Sequence, residues 1–359
     1  MSEEISGCLE QAIARARGFI ADTPGMKAEP ESMSVPPEAR EAFYQLVERA
    51  QDALLDELGQ GGLARAQTAA AGLAQVRDGI VAASDLTSLN LPQAVETYLD
   101  DARASLRKPL FGVVMDVLSG AGSVEAARDV AAPLLARHAA TMYRCAIELQ
   151  AYLGIVAALR PVRFWEVFSP DTLEMSAMPT GSMTIGAQVT SPERRMPEAL
   201  FETADGRLFA MKTELARELD FYGAKIKRRR DMSLGGNTVD QVAHRVLLLY
   251  RAQSIDEVPL LADRDHLKVL ASDLMVEAVM PGDMQPGLAC AMFLERMETM
   301  RSKNPVQMLL VDGASAAPAE AEGDPRLELC EWRDLDADGR TVRQVAALLD
   351  VPQQAGETK

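Results

Sequence analysis

The segment DLDADG, from Asp334 to Gly339, is the closest match in this sequence to a known ligand site. A calcium loop of the EF-hand type places oxygen ligands at positions 1, 3 and 5 and a glycine at position 6. At these positions the chain has Asp334, Asp336, Asp338 and Gly339. Position 12, which normally supplies a bidentate acid, is Val345. The segment predicts a hairpin turn between LELCEW and RTVRQVA, with a weak calcium site as the alternative.

A run of cations ends the helix that we predict at about 213–230. It consists of Lys225, Lys227, Arg228, Arg229 and Arg230. Clustered cations can neutralise the phosphates of a nucleic acid or another polyanion. Because the same helix begins with acids such as Glu214 and Glu218, its charges also complement the helix dipole. We favour a solvated or salt-bridged helix end and keep nucleic-acid or anion binding as the alternative.

Methionines are concentrated in the segment that we predict as a helix at 286–302. The group comprises Met292, Met297 and Met300, with Phe293 beside them and Met308 further on. Methionine-rich faces can adapt to a protein partner, but more often they fill a core. The segment predicts core packing, with a partner interface as the alternative.

Three weaker patterns indicate structure rather than chemistry. The glycine-rich segment at 119–123 is followed by Glu125 where a dinucleotide fingerprint needs glycine, so it predicts a turn between helices. The segment at 341–353 resembles the start of a helix-turn-helix unit but ends before a recognition helix, which indicates a terminal helix or strand. His138 lies on an apolar helical stripe, and a hydrogen-bonded core or interface histidine is the favoured interpretation.

The elements that hold these residues fall into four segments. Residues 1–37 predict a short helix and a flexible linker, because proline, glycine and acids follow the first apolar stripe. Residues 38–160 carry apolar residues at three- and four-residue steps, which predicts an antiparallel helical bundle. Its helices are expected at 38–58, 63–84, 92–118 with a kink at Pro109, and about 123–159.

Residues 161–311 predict a smaller, helix-rich α+β domain. Strands are expected at 162–168 and 306–311, and a β-hairpin at 199–211 because Asp205-Gly206 separates two β-prone runs. Helices are expected at about 213–230, 238–253, 263–279 and 286–302. Residues 312–359 predict an acidic linker and a tail with a possible hairpin.

Composition narrows the class of protein. The formal net charge of −16 disfavours binding to nucleic acid or anionic membranes except through a local basic patch. The 4 cysteines lie far apart, which favours reduced thiols in a cytosol. The start MSEEISGCLEQ is not a signal peptide, and no apolar stretch reaches the roughly 20 residues of a membrane helix. Abundant alanine, and arginine in excess of lysine, indicate a G+C-rich bacterial genome.

These observations predict a mainly α-helical cytoplasmic protein. The sequence contains no GxSxG, P-loop, HExxH or CxxC motif, and no cofactor is expected apart from weakly bound calcium. The favoured hypothesis is a non-enzymatic scaffold or assembly subunit that binds a protein partner or self-associates. One alternative is a nucleic-acid-associated regulator that uses the basic helix end. Another is an enzyme with a site assembled from distant residues in 161–266.

Overall fold

A computed structural model describes most of the first 214 residues and separate segments of the remainder. The described residues are 2–30, 32–167, 175–186, 194–195, 197–214, 246–256, 262–263, 268–269, 272–279, 303, 305–311, 328–333 and 339–350. The chain divides into two compact units, and the division falls inside two long helices. We call Met1–Ala71 with Ala94–Tyr143 the helical unit, and Gly72–Gln93 with Arg144–Lys359 the sheet unit.

Helices form most of the first 158 residues. They are α1 (Ser2–Asp22), α2 (Arg40–Leu58), α3 (Gln60–Ala83), α4 (Gln93–Asp100), α5 (Ala102–Arg107), α6 (Leu110–Leu118) and α7 (Val124–Ala158). A short hairpin, β1 (Lys27–Glu29) with β2 (Ser32–Ser34), and a 3-10 turn at Pro37–Ala39 separate α1 from α2. The segment at 22–37, which we expected as a linker, therefore contains regular structure. In the helical unit, α2 packs against α1, α5 and α6.

Helix α2 illustrates why this part of the chain is helical. Phe43, Val47, Ala50 and Leu54 recur at three- and four-residue steps, and all are fully buried. This stripe is the face that α2 presents to its neighbours. The helix predicted at 38–58 is confirmed.

The helix predicted at 92–118 is wrong as a single element, because it is three helices. The Asp101 side chain accepts a hydrogen bond from the backbone N–H of Ala104 at 2.9 Å, so Asp101 caps a new helix, α5. Pro109 then takes the N-cap position of α6. A side-chain cap and a proline each favour a new start over an uninterrupted helix.

The glycine-rich segment at 119–123 is the predicted turn between two helices. The residues before it form α6, not the strand that a dinucleotide fold requires. Gly120 has a φ of 82°, a backbone conformation that suits glycine. The Ser123 hydroxyl accepts the N–H of Ala126 at 3.1 Å, so Ser123 caps α7.

The sheet unit contains a seven-stranded sheet. Its strands are β4 (Pro161–Glu166), β7 (Ala199–Thr203), β8 (Leu208–Glu214), β9 (Val246–Ala252), β12 (Leu274–Val279), β13 (Pro305–Val311) and β14 (Glu328–Arg333). The order is β14-β13-β12-β9-β8-β7-β4. The five strands from β4 to β12 pair antiparallel, while β13 and β14 pair parallel.

Short strands make two further pairings in this unit. Strand β3 (Ser88–Asn90) pairs parallel with β5 (Ser182–Thr184). Strand β10 (Ala262–Asp263) pairs antiparallel with both β6 (Arg194–Arg195) and β11 (Lys268–Val269). A last helix, α8 (Arg340–Ala347), follows β14.

Some strand predictions are confirmed. The hairpin expected at 199–211 is β7 and β8, and Gly206 in its turn has a φ of 82°. The strand expected at 306–311 is β13, and that at 162–168 is β4. The helices expected at 213–230 and 286–302 lie almost entirely outside the described residues.

Two helix predictions are wrong. The segment expected as a helix at 238–253 contains β9, and the one at 263–279 contains β11 and β12. In β9 the four consecutive residues from Leu247 to Tyr250 are all at most 1% exposed. A central strand buries both of its faces, and its continuous apolar run cannot be distinguished from a helix by periodicity. The segment RTVRQVA is α8, so the strand expected from the hairpin prediction is wrong, whereas the helix alternative for 341–353 is observed.

The two faces of the sheet have different buried groups. One face carries Phe164, Phe201 and Phe209 as cross-strand neighbours, with ring centroids 5.8 and 5.6 Å apart. The other face carries a cluster formed by Trp165, Val167, Leu200, Ala210, Leu248, Tyr250 and Met275. The described chain is mainly helical, and five adjacent strands of the seven-stranded sheet in its second unit are antiparallel. Among the described residues, no helix is both long and apolar enough to cross a membrane.

Candidate functional site

All of the binding residues predicted from the sequence lie outside the described residues. They are the basic run Lys225, Lys227, Arg228, Arg229 and Arg230, the interface group Met292, Phe293, Met297 and Met300, and the acids Asp334, Asp336 and Asp338. These assignments, including weakly bound calcium, stay predictions. Within the described parts of the chain, no group of 3 or more His, Cys, Asp or Glu side chains could hold a metal ion.

Ion pairs connect α5 to α2 in the helical unit. Arg103 contacts Asp56 at 2.7 Å and Asp52 at 3.1 Å. Arg107 contacts Asp52 at 3.0 Å and Glu48 at 3.6 Å. Hydrogen bonding to Asp56 is the main reason that the pKa of Arg103 lies above its ordinary value. These arginines therefore already have intramolecular acidic partners.

Arg128 of α7 makes a second set of ion pairs. It lies 2.6 Å from Glu57 at the end of α2 and 2.6 Å from Glu10 in α1. Its hydrogen bond holds the pKa of the Glu10 carboxyl below its ordinary value. One arginine thus connects three helices of the helical unit, which is a structural role.

His138 is a partly buried histidine with a hydrogen bond, as its position on the apolar stripe predicted. Its Nε2 lies 3.1 Å from the carbonyl oxygen of Ser105, to which it donates. Burial lowers the pKa of His138 below its ordinary value, and the hydrogen bond to Ser105 offsets part of that shift. The side chain therefore favours its neutral form more than a solvated histidine does.

We expect His138→Gln to reduce the loss of stability on acidification. The unfolded chain takes up a proton near the ordinary histidine pKa of about 6.5, whereas the folded chain does so at lower pH. The contribution of His138 to the free energy of unfolding is therefore fully present above the unfolded-state pKa. It is lost as the pH falls from there toward the lower folded-state pKa. The check is the difference in Tm between pH 7.5 and about 5.5 in both proteins. An equal difference would show that His138 does not contribute.

Tyr44 and Phe111 form an exposed aromatic pair in the helical unit. Tyr44 is 44% exposed and Phe111 is 41% exposed, and their ring centroids lie 6.3 Å apart. The large apolar side chains that are exposed among the described residues are Tyr44, Phe111, Val130, Met178 and Ile255. Single exposed apolar residues are common, but two adjacent aromatic rings form a patch.

The local sequence explains why these rings face outward. Tyr44 directly follows Phe43, which belongs to the buried stripe of α2, and the two rings lie 5.4 Å apart. Phe111 directly follows Leu110, the first residue of α6, and Leu110 is fully buried. In each helix the residue beside a buried anchor points away from the core, because neighbouring residues lie about 100° apart around a helix.

Lys212 is a buried lysine in the middle of the sheet. It lies on β8, between β7 and β9, and is 2% exposed. Its Nζ atom has no hydrogen-bond partner within the described residues. Lys212 pairs with Leu248 on β9 and lies two residues after Ala210, so it shares the face of the cluster around Trp165. On the same face, the Trp165 Nε1 atom is also buried and has no hydrogen-bond partner within the described residues.

Glu198 is a buried carboxylate at the start of β7. It is 1% exposed, and one oxygen accepts hydrogen bonds from the backbone N–H of Thr213, at 2.6 Å, and from the Thr213 hydroxyl. The other oxygen accepts the backbone N–H of Gly186 at 2.8 Å. This side chain therefore joins the end of β8 to the chain that follows β5.

The Tyr44–Phe111 pair, the buried Lys212 and the buried Glu198 were not predicted as functional candidates from the sequence. Tyr44 and Phe111 lie on helices that were predicted, but only the packing shows that the two rings meet. Lys212 had one signal, because it is a cation inside the strand LFAMKTE, which is otherwise mostly apolar. The residue type alone does not show whether this lysine faces the core. That depends on the register of β8 against β9, which places Lys212 on a buried face.

No protein-family model matches this chain, and no curated protein or solved structure matches it either.

Proposed function

We propose that this protein is a non-enzymatic interaction protein, a scaffold or assembly subunit of a bacterial cytoplasmic complex. In this proposal residues 38–160 act as an antiparallel helical bundle that presents a partner surface. The observation that carries the proposal is the exposed pair of Tyr44 and Phe111. Aromatic residues are enriched in protein interfaces, where they supply a large contact area with few rotatable bonds.

The surroundings of the pair resemble the anatomy of an interface. Glu48 lies one helical turn after Tyr44, and Arg107 lies four residues before Phe111. Glu48 and Arg107 contact each other at 3.6 Å, so an ion pair lies one helical turn from Tyr44. An apolar centre with a polar rim is the usual arrangement at a protein interface. We therefore assign Tyr44 and Phe111 to the centre of the surface, and Glu48 and Arg107 to its rim.

Replacing both aromatic residues, Tyr44→Ser with Phe111→Ser, is expected to weaken association at least about 30-fold, because interface hot spots contribute about 2 kcal/mol or more. The fold is expected to persist, since both rings are more than two-fifths exposed. The measurement is affinity capture from the native host, together with size-exclusion chromatography and light scattering of the purified chain.

Met178→Ser is the matched control for this experiment. Met178 is 73% exposed, so it tests the effect of removing an exposed apolar side chain outside the pair. We expect this variant to associate like the wild type. If the double variant retains every partner and the wild-type mass, the surface is not the interface.

The nucleic-acid alternative depends on Lys225 to Arg230, which lie outside the described residues. Its test is salt-dependent binding to DNA or RNA that charge reversal at Arg228 to Arg230 abolishes. Absence of binding at low salt would end that alternative.

A further inference from the structure

We propose that the sheet face carrying Lys212 and Trp165 binds a monocarboxylate with an apolar body. This site belongs to the sheet unit and involves none of the residues assigned to the partner surface. The proposal therefore stands or fails independently of the proposed function.

The first argument is the position of the Lys212 ammonium. Its Nζ atom is buried, it has no acceptor within the described part of the chain, and the facing residue on β9 is Leu248. Burying an ammonium group without an anionic or hydrogen-bonding partner is strongly unfavourable. A chain that keeps a lysine at such a position gains from an anion that binds there.

The second argument is that the neighbouring described carboxylates are already engaged. Glu198 directly precedes Ala199, which pairs with Met211 beside Lys212, but its two oxygens accept hydrogen bonds from Thr213 and Gly186. Asp273 directly precedes β12, the strand that pairs with β9. Its two oxygens accept hydrogen bonds from the Arg251 backbone N–H and from Lys303 Nζ. Neither acid makes an ion pair with Lys212.

The third argument is a second donor on the same face. Trp165 pairs with Leu200, Leu200 pairs with Ala210, and Ala210 lies two residues before Lys212. The indole Nε1 is buried and has no partner among the described residues. Indole N–H and ammonium groups only donate hydrogen bonds, so each of these two atoms requires an acceptor.

The remaining lining defines the class of ligand. Leu200, Ala210, Leu248 and Met275 are fully buried members of the cluster that contains Trp165, and Leu248 is the β9 partner of Lys212. They favour an apolar ligand body. One ammonium balances the single charge of a carboxylate, whereas a phosphate dianion would keep an uncompensated charge in an apolar setting. The geometry therefore points to an apolar monocarboxylate.

The test begins without ligand, by comparing the wild type with Lys212→Met. Methionine keeps the unbranched apolar chain and removes the charge. If the ammonium is unpartnered in the ligand-free protein, we expect the variant to raise Tm by about 2–8 °C. A lower Tm, or failure to fold, would show that another part of this chain pairs with Lys212, and would overturn the proposal.

The second arm is calorimetric titration with butyrate, octanoate and benzoate, and with the matched alcohols butanol, octanol and benzyl alcohol. We expect at least one acid to bind the wild type and its alcohol to bind far more weakly. Lys212→Met is expected to weaken acid binding at least about 30-fold. Trp165→Phe should weaken it about 5- to 10-fold, since one hydrogen bond is lost.

Lys27→Met is the control for this arm, because Lys27 is an exposed lysine in the helical unit. It should bind the acids like the wild type. Equal binding of acid and alcohol, equal binding by Lys212→Met, or no binding by any of the three acids would overturn the proposal.

Discussion

Glu198→Ala is expected to lower the free energy of unfolding by about 3–5 kcal/mol, because three donors, two of them in buried hydrogen bonds, lose their acceptor. These donors are the backbone N–H groups of Thr213 and Gly186 and the Thr213 hydroxyl. Glu198 is only 1% exposed, so solvent cannot readily replace the carboxylate. Chemical denaturation followed by circular dichroism measures the change.

Glu202→Ala is the matched control for Glu198→Ala. Glu202 has the same residue type and lies on β7, which Glu198 directly precedes, but it makes a more exposed ion pair with Arg163 at 3.1 Å. Exposed pairs contribute less than about 1 kcal/mol, so we expect a small change. Glu198→Gln should fall between the two alanine variants, since it keeps one acceptor. Equal stabilities for the two alanine variants would contradict the assigned role of Glu198.

Phe201→Ala is expected to lower the free energy of unfolding by about 3–5 kcal/mol, as buried phenylalanine truncations do. Phe201 is fully buried and lies between Phe164 and Phe209, with ring centroids 5.8 and 5.6 Å away. The variant removes the middle ring, so both outer rings lose an aromatic neighbour in addition to the cavity cost. The same denaturation experiment applies.

Phe201→Leu separates cavity formation from a general sensitivity of this position. Leucine keeps much of the apolar volume, so its cost should stay below about 2 kcal/mol. If leucine and alanine are equally destabilising, the row of three rings is not what stabilises this face of the sheet.

Local signals predicted much of the fold. Ser123 is a side-chain cap, and Asp205-Gly206 allows a tight turn, so both were visible in the sequence. The apolar stripe that begins at Phe43 has the period of a helix and needs no tertiary information.

The strand at 246–252 was predicted as a helix because its residues are buried on both faces of the sheet. The run from Leu247 to Tyr250 has neither the alternation of an edge strand nor the stripe of a surface helix. Its identity as a strand depends on its partners β8 and β12, which are distant in sequence. Likewise, α8 was predicted as half of a hairpin, because nothing local shows that β14 pairs in parallel with β13.

Predicting the candidate sites likewise requires knowing which residues, distant in the chain, lie together in the fold. Tyr44 and Phe111 lie far apart in the chain, on α2 and α6, so only packing brings their rings together. Lys212 gains its meaning from the register of β8 against β9, which places the ammonium opposite Leu248. Residue type alone predicts a solvated lysine in both a loop and an edge strand.

The most direct test of the proposed function is fluorescence-detected sedimentation velocity of the labelled chain in a cleared lysate of its native host. This measurement detects self-association and association with another protein alike. We predict that the wild type sediments in species heavier than the 38.9 kDa monomer, and that the variant with Tyr44→Ser and Phe111→Ser returns to the monomer. A wild-type chain that sediments only as the monomer would contradict the proposal.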